Sequence, residues 1–267
     1  MASQARIYIF TGKGGVGKTT LAEAMTLHLH QQGKKVFYSD FDQAQNRETL
    51  KKLNIPTLDL NIEDSALEYI ARKLNSKTIA SWIMKTPFFS SLFKMVPGLA
   101  NMILLGHMID LLESDPDLTI VLDSPSSGHA LTMLESPFNF KDMFGSGLIV
   151  EDIMRMERFI AGDNNFSISI LSLPSLMAVT EAVELQKSIQ SLGFKDTNVI
   201  ANDIYSLSQE IIENKDELPE FMLTKLQLEQ EVSATLKETK KLELPHYFNN
   251  NSSEVVKEIS LKLGEIL

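Results

Sequence analysis

Short, nearly continuous apolar runs alternate along the chain with longer segments in which apolar residues recur every three or four positions. The first kind is typical of strands in a parallel sheet covered on both faces, and the second of surface helices. The predicted strands are residues 6–10, 36–39, 118–123, 166–173, 197–202 and 241–244. This order predicts an α/β fold, a doubly wound and mostly parallel sheet with helices on both faces.

The helical pattern is clear in several segments. They are residues 21–32, 62–75, 99–112, 177–192, 208–237 with a break at Pro219, and 252–267. A further stretch, residues 78–95, is rich in apolar and aromatic side chains and includes Trp82 and Met95. A stripe of this kind indicates either core packing, the commoner role, or a groove for apolar partners.

The chain has 267 residues, of which 43% are hydrophobic, and this is enough to bury a sizeable core. We expect a single domain over residues 1–267, with small helical insertions at about 57–112 and 137–165. The terminal segment 252–267 carries balanced lysine and glutamate residues. That balance favours a helix docked on the sheet over one that attaches to a membrane.

Charge and cysteine content exclude several classes of function. The formal net charge of −10 argues against a broad nucleic-acid or anionic-membrane surface, so we expect neither nucleic acid nor stable membrane insertion. The chain has no cysteine, which excludes disulfides, thiolate metal sites and iron–sulfur ligation. It also lacks a basic leader and an apolar run of about 18 residues, so we expect a soluble cytoplasmic protein.

The first predicted strand runs into a glycine-rich turn and then a helix, which is the setting of a phosphate-binding loop. The pattern G-x-x-x-x-G-K-[ST] spans Gly12 to Thr19. The candidate nucleotide-binding residues are Gly12, Lys13, Gly14, Gly15, Val16, Gly17, Lys18, Thr19 and Thr20. Glycines let the backbone wrap around the phosphate oxygens of ATP or ADP. Lys18 would reach the β- and γ-phosphates of ATP, and Thr19 would hold Mg²⁺.

Polar residues at strand ends complete the candidate site, because ligands bind at the carboxyl ends of parallel strands. Asp123 ends the strongest apolar run and is the natural magnesium-holding Walker B residue. Asp40 and Asp42 follow the second strand, and Asp42 has the alternative role of a helix cap or turn residue. Asn202 ends the fifth strand, where asparagine is also a common turn residue.

The string from Gly12 to Thr20 resembles the deviant Walker A loop of one group of P-loop ATPases. That group includes the nitrogenase iron protein, the Min and Par regulators, and the arsenical-pump and tail-anchored-protein targeting ATPases. In it the additional lysine, here Lys13, reaches the nucleotide of the partner subunit. The resemblance therefore implies a dimer, with itself or with a paralogous ATPase, in which Lys13 and Lys18 are catalytic.

Two further segments resemble the arsenical-pump and tail-anchored-protein targeting ATPases in particular. Residues 42–46 resemble their switch I, which implies that Asp42 positions the attacking water and is also a candidate magnesium ligand. Residues 123–131 resemble their switch II, which implies that Gly128 approaches the γ-phosphate. The same resemblance implies that Asn202 reads the adenine amino group and that the loop starting at Pro245 passes the base.

The resemblance implies a Mg²⁺-dependent ATPase that couples nucleotide state to binding of a protein partner. Gln43, Gln45 and Thr132 stand where the family has proline, histidine and arginine, so we expect slow or partner-stimulated turnover. The absence of cysteine rules out cluster binding, thiolate capture of arsenite and a zinc clasp between subunits. Two alternatives stay open: a spatial regulator similar to Min and Par proteins, and an interaction module that binds ATP with little turnover.

Overall fold

The computed structural model describes residues 5–40, 48–87, 89, 91, 95–96, 98–144, 146–235 and 241–266. The predicted switch I residue Asp42, with its neighbours Gln43 and Gln45, lies outside the described residues. The strands are β1 (Ile7–Gly12), β2 (Lys35–Asp40), β3 (Leu118–Ser126), β4 (Phe166–Ser172), β5 (Thr197–Ile204) and β6 (Lys241–Pro245).

These strands form one six-stranded sheet in the order β2-β3-β1-β4-β5-β6. Every neighbouring pair is parallel. All six predicted strands are therefore present, and the expected doubly wound α/β fold is confirmed. Strands β2 and β3 lie on one side of the central strand β1, and β4, β5 and β6 lie on the other. The carboxyl end of β1 is therefore at the topological switch point, where such folds bind ligands.

The helices, numbered in chain order, connect and cover the strands. They are α1 (Lys18–Gln31), α2 (Glu48–Lys52), α3 (Ile62–Leu74), α4 (Lys77–Met84), α5 (Leu99–Ser114), α6 (Ser127–Phe144), α7 (Leu148–Ala161), α8 (Leu176–Ser191), α9 (Gln209–Glu213), α10 (Glu220–Thr235) and α11 (Ser252–Ile266). The expected break at Pro219 is present, because α10 starts at the next residue. In the described part of the chain, no helix is long and apolar enough to cross a membrane.

Alternate residues of β1 face two different apolar clusters, as the two-residue period of a strand requires. Ile7 and Ile9 pack with residues of α3, α5, α6, α7 and α8. Tyr8 and Phe10 pack with residues of α1, α2 and α11. The central strand is thus buried on both faces, which explains why its sequence is a continuous apolar run.

The last helix, α11, packs against α1 as expected for a docked helix. Val256, Ile259 and Leu263 are almost completely buried in the same cluster as α1. The apolar stripe of α5 is core, since this helix buries side chains on all sides. By contrast, Trp82 on α4 is 71% exposed and Met95 is 78% exposed.

Two elements start or end differently from the sequence expectation. The helix α1 begins at Lys18 rather than at residue 21. The glycine-rich turn ends at Gly17, which precedes the helix in a left-handed conformation with φ 93°. Lys18, Thr19 and Thr20 are therefore helical, with their side chains fixed by the first turn of α1. The strand β3 continues beyond Asp123 to Ser126, where it pairs with Gly12 at the end of β1.

Helix α6 continues through Pro137, near the expected start of the second insertion. Proline has no backbone N–H to donate to the carbonyl four residues earlier, which is that of Met133. The Ser136 hydroxyl donates to this Met133 carbonyl at 2.7 Å instead. This contact explains how a proline is accommodated within a helix.

Candidate functional site

The glycine loop lies between the carboxyl end of β1 and the start of α1. Gly12 has φ 145°, and a Cβ atom there would lie 2.3 Å from the Leu171 carbonyl oxygen of β4. Gly17 has φ 93°, and a Cβ atom there would lie 2.4 Å from the Asn202 side chain. Gly12 therefore requires glycine for both conformation and space, whereas Gly17 requires it for conformation, since the Asn202 side chain could move aside. The N-terminal amides of α1 follow directly, an arrangement suited to phosphate binding.

The side of the loop that faces away from the sheet is open. A Cβ atom at Gly14 or Gly15 would meet nothing within 4 Å, and Gly15 has φ 77°. The cradle is thus tight where it meets the sheet and accessible at its centre. A phosphate group fits this shape, because the loop amides can approach it without intervening side chains.

The two lysines of the loop make different contacts. Lys18 donates from Nζ to the Lys13 carbonyl oxygen at 2.8 Å, so its ammonium group lies over the loop. The Lys13 ammonium group forms an ion pair with Glu181 on α8, and both side chains are substantially exposed. Lys13 therefore points outward from the cradle that Lys18 covers.

Thr19 and Asp123 meet at the end of the loop. The Thr19 hydroxyl donates to Asp123 Oδ2 at 2.6 Å, which joins the first turn of α1 to strand β3. A threonine hydroxyl and a carboxylate supply the hard oxygen ligands that Mg²⁺ prefers, in combination with phosphate oxygens and water. The residue types present fit a magnesium ion, which Thr19 and Asp123 would hold.

Burial and hydrogen bonding act on Asp123 in opposite directions. The side chain is buried, and this desolvation raises its pKa above the ordinary value. Hydrogen bonds from Thr19 and Tyr38 and the charge of Lys18 oppose the rise, while the charge of Asp40 adds to it. Nearby on α1, burial and then the charge of Asp123 raise the pKa of Glu23 to about 7.

Asn202 and Pro245 lie at the carboxyl ends of neighbouring strands β5 and β6. Asn202 donates from Nδ2 to the Val16 carbonyl oxygen at 2.9 Å, which brings it into contact with the glycine loop. The next residue, Asp203, accepts a hydrogen bond from Nδ1 of His246, which follows Pro245. The ends of β5 and β6 are therefore tied together beside the loop.

The structure brings most of the predicted site residues to one edge of the sheet. Gly128 lies in the first turn of α6, two residues after the Ser126 that pairs with Gly12. A Cβ atom at Gly128 would meet nothing within 4 Å, so steric crowding is not what selects glycine there. Asp42 follows β2, whose last residue Asp40 pairs with Asp123, but Asp42 itself is outside the described residues.

Sequence reasoning missed three side chains at this edge. Tyr38 donates from its hydroxyl to Asp123 Oδ2 at 3.0 Å, Glu23 lies buried near the same carboxylate, and Glu181 pairs with Lys13. For Tyr38 there was a signal, because it lies two residues before Asp40 and so on the same side of the strand. For Glu23 the signal was its position one helical turn after Thr19.

Comparison with known proteins places these features in a family. The chain is 25% identical over 242 residues to a protein of Aquifex aeolicus named as an arsenical pump-driving ATPase, a match that covers 74% of this chain and 80% of that protein. It is 26% identical over 190 residues to ATPase GET3A of Arabidopsis thaliana, covering 66% of this chain and 52% of the relative. A match to an ATPase ASNA1 homolog of Plasmodium berghei has 30% identity over 146 residues, covering 52% of this chain and 38% of the relative.

The chain thus spans most of one relative but about half or less of the other two. The names of all three relatives include the word ATPase, which agrees with the glycine loop and with the Thr19–Asp123 contact described above. Residues 5–148, more than half of the chain, match the family model of anion-transporting ATPases, and the chain therefore belongs to that family.

Proposed function

We propose that this protein is a Mg²⁺-dependent ATPase that works as a dimer and couples its nucleotide state to the binding of a protein partner. The observation that carries the proposal is the 2.6 Å contact between Thr19 and Asp123 at the end of an open glycine cradle. Two lysines of opposite orientation flank this cradle. Membership of the anion-transporting ATPase family supports the same reaction.

The residues of the cradle bind and orient the triphosphate. Loop amides and the start of α1 receive the phosphate oxygens, and Lys18 moves from the Lys13 carbonyl to neutralise charge on the β- and γ-phosphates. Thr19 and Asp123 hold the magnesium ion. When bound, Mg²⁺ polarises the phosphoryl oxygens and neutralises the charge that develops on them.

Two residues complete the hydrolytic step in the proposal. Asp42 orients the attacking water, as the resemblance of residues 42–46 to switch I implies. Lys13 leaves Glu181 and reaches the nucleotide of the second subunit, where its charge stabilises the transition state as an arginine finger does. The second subunit is either another copy of this chain or a paralogous ATPase.

Asn202 supports the selection of adenine. Its Nδ2 is already held by the Val16 carbonyl, which leaves Oδ1 as the acceptor for an exocyclic amino group. Pro245 lies at the end of the adjacent strand β6 and lines the opposite side of the base in the proposal. ATP and ADP are therefore the nucleotides that we propose for this site.

A cavity in the helical part supports binding of an apolar segment of the partner. It has a volume of about 700 Å³ and lies between α3, α4 and the start of α5. Leu67, Met84 and Phe89 contribute apolar lining, and the exposed Trp82 is on the same helix as Met84. Glu63, Asp64 and Lys85 also line the pocket, so it suits an apolar segment with polar or charged flanks.

The proposal is tested by ATP turnover of the Asp42→Asn variant. The amide cannot accept a proton or carry the negative charge that orients water, so we expect kcat to fall by about 100-fold or more. Affinity for ATP should stay within about threefold of the wild-type value, since Asp42 is assigned no role in holding the phosphates. Steady-state hydrolysis and binding of a fluorescent ATP analogue measure the two quantities.

Asp216→Asn, at an exposed aspartate to which we assign no role in the site, is the matched control and should change neither quantity. Wild-type turnover in Asp42→Asn would remove the role assigned to Asp42. If the wild-type protein binds ATP but shows no measurable hydrolysis in a single-turnover experiment, the alternative function is favoured. The protein would then be an interaction module that binds ATP with little turnover.

A further inference from the structure

Tyr38 places a hydroxyl group on the carboxylate that we assign to magnesium. Its side chain is 4% exposed and its hydroxyl donates to Asp123 Oδ2 at 3.0 Å. The same oxygen receives the Thr19 hydroxyl at 2.6 Å. Within the described part of the chain, no hydrogen bond reaches Oδ1. One oxygen of Asp123 is thus held by two hydroxyls, and the other remains available.

The strand register explains why Tyr38 can reach this carboxylate. Tyr38 pairs with Val121 and Asp40 pairs with Asp123, so the hydroxyl reaches diagonally across to the residue two positions further along β3. The ring of Tyr38 packs in the apolar cluster on the α1 side of the sheet. A buried tyrosine hydroxyl needs a hydrogen-bond partner, and here the partner is the magnesium-holding carboxylate.

The surroundings of Asp123 make such a donor important. The side chain of Asp123 is only 9% exposed, and the hydroxyls of Thr19 and Tyr38 together restrict how its carboxylate can turn. Hydrogen bonds of this kind orient a metal ligand before the metal binds.

We propose that Tyr38 is a positioning residue for the magnesium end of the nucleotide site. It acts through Asp123: together with Thr19 it fixes the orientation of the carboxylate, so that Oδ1 is presented to a magnesium ion or to water bound on that ion. This inference rests on the proposed function. Its expected consequence is a contribution to affinity for magnesium–nucleotide complexes, with no contribution to affinity for nucleotide alone.

The test is the Tyr38→Phe variant, which removes one oxygen atom and keeps the buried ring. Binding of a fluorescent ADP analogue is titrated with magnesium chloride present and again in EDTA. We expect affinity in magnesium to fall by about tenfold, since partners that hydrogen-bond to metal ligands typically contribute 10- to 100-fold to metal affinity. Affinity in EDTA should be unchanged.

Tyr8→Phe is the matched control, because Tyr8 is another buried tyrosine of the same apolar cluster and lies on β1. It should leave both affinities unchanged. Equal affinity of Tyr38→Phe and wild type in magnesium would overturn the inference, and so would an equal loss in magnesium and EDTA. A wild-type protein that binds no nucleotide, or binds it equally with and without magnesium, would overturn the proposed function and this inference with it.

Discussion

At the scale of single residues, burial sets the protonation state of one histidine in the helical part. His107 on α5 is 8% exposed, and no hydrogen bond from the described residues reaches its Nδ1. Burial lowers the pKa of His107 below its ordinary value of 6.5, and the nearby positive charge of Arg72 adds to this effect. Asp110 and Glu68 oppose it. The folded protein therefore holds this imidazole in the neutral form.

The expected consequence is a loss of stability in mild acid. The unfolded chain takes up a proton at His107 as the pH falls through about 6.5, whereas the folded chain takes it up only at lower pH. His107 therefore contributes stability above the pKa of the unfolded state, and the contribution decreases as the pH falls towards the lowered pKa of the folded state. Thermal unfolding between pH 5 and 8 measures this dependence.

The matched comparison is His107→Gln against His30→Gln, because His30 is exposed on α1. His107→Gln should flatten the decrease in Tm on acidification relative to the wild type, while His30→Gln should follow the wild-type curve. The difference between variants is the quantity to use, because buried carboxylic acids such as Glu23 have raised pKa values and act in the opposite direction. Parallel curves for all three proteins would contradict the assignment to His107.

At the scale of elements, a buried ionic network joins three helices of the helical part. Arg155 on α7 contacts Asp152 at 2.8 Å, Asp110 of α5 at 2.8 Å and Glu113 of α5 at 2.5 Å. Lys73 and Tyr69 of α3 bind the same Asp152. The side chains of Asp110 and Asp152 are only 8% and 4% exposed. Each helix therefore supplies charges that the other two neutralise.

Removing one member of such a network leaves buried charge without its partner. Arg155→Met retains the apolar length of the side chain but leaves Asp110 and Asp152 short of positive charge, so we expect the free energy of unfolding to fall by about 3 kcal/mol. Arg158→Met, on the exposed side of the same helix, should cost less than about 0.5 kcal/mol. Urea unfolding of both variants measures the difference, and equal losses would show that the network adds nothing.

At the scale of the whole molecule, the phosphate cradle opens at the surface, and Lys13 lies there with its ammonium group on Glu181 of α8. An exposed ion pair of this kind contributes little to folding, so it is easily exchanged for a stronger contact. In the proposed dimer, the triphosphate bound to the second subunit would carry the charge to compete for Lys13. The proposed role of Lys13 therefore predicts that two subunits associate when ATP is bound, and this association can be measured directly.

Sedimentation of the Asp42→Asn variant provides the test, because slow hydrolysis preserves ATP. We expect a monomer without nucleotide and a dimer with ATP and magnesium. Adding Lys13→Ala should weaken the dimer by at least about tenfold, since truncating one partner of a desolvated charge pair costs about 2–5 kcal/mol. Lys34→Ala, at an exposed lysine after α1, is the control. A protein that stays monomeric under all these conditions would refute the dimer.

The sequence by itself determined the six strands, their parallel class and the position of the glycine-rich loop between β1 and α1. These features depend on local spacing: the glycines of residues 12–17 precede Lys18 and Thr19 directly, and a strand covered on both faces is a continuous apolar run wherever it lies. Asp123 was found in the same way, as the acid that ends such a run. Element ends were less accurate, because the start of α1 depends on the left-handed conformation of Gly17.

Tertiary structure alone decided which side chains meet. Tyr38 and Asp123 are 85 positions apart, and they touch because the sheet order places β2 beside β3 in a particular register. The ion pair of Lys13 with Glu181 and the contacts of Arg155 on α7 with Asp110 and Glu113 on α5 also join distant parts of the chain. Periodicity reports whether a residue faces the core, but it carries no information on which strand or helix lies opposite.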